Sequence, residues 1–107
     1  MFSFFNNSTS HTLTYLPQVS NVIEQGFPVI VGAGNNKEDV TNVSPARVDG
    51  VITVAATSID DVLADFSNFG PRVTILAPGQ AIVVQNDINA STGPDKLVTV
   101  DGTSFAA

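Results

Sequence analysis

No cysteine occurs in these 107 residues, so disulfides are excluded and thiols say nothing of a redox compartment. Basic residues are scarce as well: four Lys and Arg stand against ten Asp and Glu, for a net charge of -6. Four cations cannot neutralise a phosphate backbone, and no basic patch or stacking motif compensates, which argues against nucleic acid as a partner. No apolar run approaches the ~20 residues that cross a bilayer, so no membrane span is expected. The first residues, Met1-Phe2-Ser3-Phe4-Phe5, carry no basic segment and too short an apolar core for a signal peptide. The acidic residues are spread along the chain and read as solvated loop carboxylates, so neither metal nor cofactor is expected. Internal repeats and low-complexity tracts are absent.

What is present is apolar. Hydrophobic residues make up 43% and charged residues only 13%, the composition of a sheet interior more than of an independent charged surface. The run Phe27-Pro28-Val29-Ile30-Val31 suits a strand buried on both faces in a parallel sheet. It breaks into Gly32-Ala33-Gly34-Asn35, where near-absent side chains let a substrate lie against the backbone and Asn35 offers an amide donor. Gly32-Ala33-Gly34 also opens a dinucleotide fingerprint. Lys37 occupies the place of the third glycine, however, and residues 36–42 are polar where a phosphate-binding helix should begin. A second candidate lies near the other end, in Gly102-Thr103-Ser104-Phe105-Ala106-Ala107. Small neighbours let the Ser104 hydroxyl stand clear of its own backbone, as a nucleophile must, although Gly-Thr-Ser alone also reads as a surface turn or helix cap.

The expected architecture is α/β: a mostly parallel sheet with a flanking helix and a C-terminal β-hairpin. Leu16, Val19, Val22 and Ile23 recur at helical spacing, with Pro17 near the start and Gly26 just past the end. Strands are expected over residues 27–31, 51–56 and 72–76, with a polar loop over 36–45 and a turn at 77–79. Residues 81–84 and 97–100 read as a hairpin that delivers Ser104, its polar tip a mobile loop.

The segments Val29 to Asn36 (VIVGAGNN), Ser44-Pro45-Ala46, Val51 to Ala56 (VITVAA), Phe66-Ser67-Asn68-Phe69-Gly70, Ala77-Pro78-Gly79 and Gly102-Thr103-Ser104 share an order and spacing. In both, the chain resembles the subtilisin-like serine proteases (subtilases), most of all the proteinase K type, from about Leu16 to its last residue. The resemblance implies Ser104 as the nucleophile that forms an acyl-enzyme, and Asn35 as the side-chain oxyanion donor beside the Ser104 backbone amide. It implies Gly32, Ala33 and Gly34 as a wall of the substrate pocket, residues 66–70 as a structural support, and a peptide or protein as substrate. It also implies a secreted or extracellular parent, which the Asn-X-Ser/Thr acceptors at Asn6, Asn7, Asn42 and Asn89 would suit.

Subtilases order their triad Asp, His, Ser, and only the last is matched here. No Asp-Thr-Gly or Asp-Ser-Gly follows a strand and no His-Gly-Thr opens a helix; the single histidine, His11, reads as a solvated loop residue. Thr74 stands where proteinase K-like members carry an acidic calcium ligand. Residues 1–107 are therefore expected to be the carboxyl-terminal portion of a truncated peptidase domain, inactive by itself. The expected stub after Ser104 is too short for a helix and deprives the serine of its platform. Two other readings stay open: a non-catalytic remnant that binds extended peptides, and a half-domain whose Asp and His come from a complementing chain.

Overall fold

The computed structural model describes residues 9–85 and 97–107, with side chains from residue 16 onward. Helix α1 spans Thr9–Glu24, strand β1 Ile30–Gly32, β2 Ile52–Thr57, β3 Ile75–Pro78, β4 Ile82–Gln85 and β5 Leu97–Val100; helix α2 is the single turn Thr103–Ala106. The first three strands form one parallel sheet in the order β1-β2-β3, with Ile30 opposite Ile52 and Val54 opposite Ile75. Strands β4 and β5 pair antiparallel, Ile82 opposite Val100, which is the expected hairpin. Its tip, residues 86–96, lies outside the described residues.

The core sits on one face of the parallel sheet. Val29, Val31 and Ala33 alternate along and just past β1, Val51 and Ala55 line β2, and Val19 and Ile23 of α1 pack against them. The helical spacing is the one read in the sequence, and the alternation along the strands comes from strand geometry within runs that are apolar throughout. The other face carries Gly32, Val54 and Ala56, and α2 lies there. A sheet covered on both sides accounts for β2 being buried at every residue but Ile52.

Several boundaries differ from expectation. Helix α1 starts well before Leu16, so Pro17 lies inside it, at the cost of one backbone hydrogen bond, and His11 is helical instead of in a loop. The helix does stop at Gly26. With φ +90°, Gly26 takes the left-handed cap in which its N–H reaches Ile23 O (2.9 Å) and Phe27 N–H reaches Val22 O (3.3 Å). Strand β1 begins at Ile30, because Pro28 has no N–H for the ladder, and β2 is shifted by one residue. Strand β3 takes residues 75–78 in place of 72–76 and runs through the expected turn. Pro78 is tolerated because β3 is the edge of the described sheet, and Gly79 N–H then bonds Thr57 O (3.1 Å).

The polar loop 36–45 also contains more order than its composition suggests. Asp39 caps a 3₁₀ turn, Val40–Asn42, accepting from the Thr41 N–H at 2.8 Å, and Val40 is fully buried. Arg72 ties the segment before β3 to the loop before β2, donating to Arg47 O (2.8 Å) and to Asp49 (2.7 Å); both partners of that ion pair are solvated, so it contributes little. No described helix is long and apolar enough to cross a membrane.

Candidate active site

Strand β1 ends at Gly32, and the next residues are held tightly. Ala33 N–H continues the ladder to Val54 O (2.8 Å), and Gly34, with φ +109°, turns the chain so that Asn35 is exposed. Asparagine at this point is then pinned by its side chain: Oδ1 accepts from the Thr103 N–H at 2.9 Å. A backbone N–H can only donate, so the carboxamide atom facing it must be the oxygen, and Nδ2, with its two hydrogens, is the other end. Among the described residues Nδ2 has no acceptor.

Thr103 locks the same turn a second way. Its hydroxyl accepts from the Gly34 N–H (3.0 Å), and the residue is fully buried. Gly32 makes room for it: a Cβ there would sit 2.7 Å from Thr103 Oγ1 and 3.0 Å from its carbonyl. The Gly102-Thr103-Ser104 segment is thus seated against β1 on one side. On the other, Gly102 N–H bonds Gly79 O (2.8 Å) at the end of β3, where a Cβ on Gly79 would meet Ala56 at 2.7 Å. The serine-bearing turn rests over β2 at the carboxyl ends of parallel strands, where open α/β sheets bind ligands.

Ser104 is the second residue of α2 and partly exposed. Its hydroxyl leans over Gly102, whose absent Cβ would lie 3.2 Å from Oγ, and it has no hydrogen-bond partner among the described residues. The expectation that the chain after Ser104 forms no helix is corrected. Phe105 N–H to Gly102 O (3.1 Å) and Ala107 N–H to Thr103 O (3.0 Å) close one turn. Packing of Thr103 and Ala106 on the sheet, not helix propensity, holds it.

Of the sequence candidates, the structure brings the Asn35 side chain into direct contact with the residue preceding Ser104, across 68 positions of chain. Gly32, Ala33 and Gly34 are all buried, Ala33 within the core and the two glycines against Thr103. None of the described side chains is a histidine, and no carboxylate among the described residues bonds to Ser104. Among the described residues, Asp39 has its pKa held below the ordinary 3.8 by the hydroxyl and then the N–H of Thr41. At the position of the family's calcium ligand, the Thr74 hydroxyl accepts from the Thr53 N–H (3.0 Å), and no described group of three or more His, Asp or Glu gathers. Thr74 thus brings no anionic oxygen to that position, and its hydroxyl is committed to the Thr53 N–H.

Two residues escaped the sequence reading as site residues. Thr103 was visible only as filler in Gly-Thr-Ser, and Asn68 only as part of a structural motif. In the fold Asn68 is fully buried, and Ser67 beside it accepts from the Ala56 N–H (3.0 Å). The one available signal was an amide side chain in an apolar setting, which must be hydrogen-bonded.

The sequence profile described as the Subtilase family matches residues 3–107. A subtilisin-like protease of Coccidioides posadasii is 46% identical over 83% of this chain, which covers 21% of that protein. An extracellular serine proteinase of Thermus sp. is 43% identical over 82% of the chain, covering 20% of the relative. The chain thus spans about a fifth of the curated relatives it matches. Among solved structures, a cold-adapted subtilisin-like serine proteinase superposes with a TM-score of 0.76 at 32% identity, over 96% of this chain and 34% of that one. The fold, the ordered motifs and these matches agree, and the chain belongs to the subtilase family of serine proteases.

Proposed function

We propose that this chain supplies the nucleophile and oxyanion half of a serine endopeptidase site. Ser104 Oγ attacks the scissile carbonyl to give an acyl-enzyme, and the developing oxyanion is received by Asn35 Nδ2 and the Ser104 N–H. The observation that supports this reading best is the 2.9 Å bond from the Thr103 N–H to Asn35 Oδ1, which leaves the donor end of the carboxamide for the substrate. Gly32, Ala33 and Gly34, buried against Thr103 and the core, back the wall on which the substrate lies, and the substrate is a peptide or protein. Extracellular action follows the Thermus relative's description.

A serine hydroxyl stays protonated at neutral pH without a base, so turnover needs an Asp and a His from sequence beyond these motifs. The chain alone is expected to be silent, and a segment carrying those residues, joined or mixed, to restore hydrolysis. A fluorophosphonate probe with mass-spectrometric mapping tests this. The account expects no labelling of the chain alone, labelling at Ser104 in the complemented form, and none in Ser104→Ala. Stoichiometric labelling of the chain alone would contradict it. A peptide that binds without cleavage in the complemented form would favour the non-catalytic reading.

A further inference from the structure

Resting on that reading, we propose that Asn68 is a positioning residue: a buried clamp that sets the loop carrying Asn35, and so the aim of the oxyanion donor. Asn68 is 0% exposed and uses three of its side chain's four hydrogen-bonding positions on one loop. Its Oδ1 accepts from the Asn36 N–H (3.0 Å) and the Glu38 N–H (2.9 Å), and its Nδ2 donates to Ala33 O (2.9 Å). Its own N–H bonds Gly34 O at 2.9 Å. The partners Ala33, Gly34, Asn36 and Glu38 bracket Asn35 on both sides; of the two loop residues that Asn68 leaves alone, Lys37 bonds Phe66 O through its N–H (3.1 Å) and Asn35 turns its side chain to Thr103.

The chemistry requires asparagine. The two N–H groups need an acceptor and the carbonyl needs a donor, and a carboxamide presents both from one rigid plane. Aspartate would keep the acceptor but set a carboxylate against Ala33 O. Leucine would fill the space and leave three polar groups of the loop without their partner, the buried Ala33 O among them. Asn68 does not reach the reacting atoms. Thr103 fixes Asn35 from the serine side and Asn68 from the sheet side, so the donor is held from two independent directions.

Two measurements decide the matter. In the 107-residue chain, amide exchange at Asn36 and Glu38 should quicken by roughly tenfold or more in Asn68→Ala, while Val31 and Val54 keep their protection. Equal rates at Asn36 and Glu38 would overturn the clamp. In the complemented enzyme, Asn68→Asp should lower kcat by up to ~10²-fold with KM little changed, and should have almost no effect on kcat in an Asn35→Ala background. An equal loss in both backgrounds would show that Asn68 only holds the fold together. Should Asn68→Ala not fold, the kcat comparison of Asn68→Asp in the wild-type and Asn35→Ala backgrounds decides alone, because aspartate keeps the acceptor for Asn36 and Glu38 and loses only the donor to Ala33 O. If wild type fails to label at Ser104, the catalytic reading falls while the exchange arm still decides the clamp.

Discussion

At the residue scale, the site is built from side chains that are missing as much as from those present. Gly32→Ala would push a methyl to 2.7 Å from Thr103 Oγ1 and 3.0 Å from Thr103 backbone atoms, which cannot swing away as a flexible tip could. It should cost about 1–3 kcal/mol in denaturant unfolding and abolish Ser104 labelling of the complemented enzyme. Asn35→Ala should lower kcat by ~10²–10³, a figure borrowed from the corresponding donor of subtilisin itself. Asp39 gives a pH signature of its own. Because the Thr41 bonds favour the carboxylate, its folded-state pKa lies below 3.8, so its stabilisation is complete above that value and is lost as pH falls through the lowered one. Protection of the Thr41 amide should fall along that limb and become independent of pH in Asp39→Asn, which still caps the turn. Ser104 and Asn35 stand out as candidates in the sequence because each sits in a run of small residues. Thr103 and Asn68 do not, because their partners lie 69 and 35 positions away in the chain.

At the scale of elements, periodicity located the helix, the three parallel strands and the hairpin, and local chemistry moved their ends. Gly26 was readable as a stop because the left-handed cap needs it. Pro17 misled, since tertiary packing of Val19 and Ile23 carries α1 through a residue that disfavours it. The one-turn helix after Ser104 was invisible for a related reason: four residues have no propensity to speak of, and Gly32, Gly79 and Ala56 supply its seat. The polar loop hid Val40, a core residue between Asp39 and Thr41. Val40→Ala should therefore destabilise by roughly 2 kcal/mol in thermal or denaturant unfolding, as a strand valine such as Val31 would, whereas a loop residue would cost almost nothing.

At the scale of the molecule, the described residues leave much apolar surface open. Phe27 is 61% exposed, Ile59 91%, Leu97 66%, and both Ile75 and Leu76 of the edge strand β3 exceed half. Such surface and an unpaired edge favour association. The isolated chain should self-associate in light scattering, and a complementing subtilase segment should disperse it. Leu76→Lys should raise solubility alone and weaken complementation, since one substitution charges the face that the segment must cover.

The central claim is spatial: Asn35 Nδ2 and the Ser104 N–H converge on one oxygen. The direct measurement is a crystal structure of the complemented enzyme with a phosphonate on Ser104 Oγ. The account predicts the phosphoryl oxygen at ~2.7–3.1 Å from both donors, with Asn35 Oδ1 still on the Thr103 N–H. A phosphoryl oxygen turned to solvent, with the Asn35 carboxamide elsewhere, would contradict it.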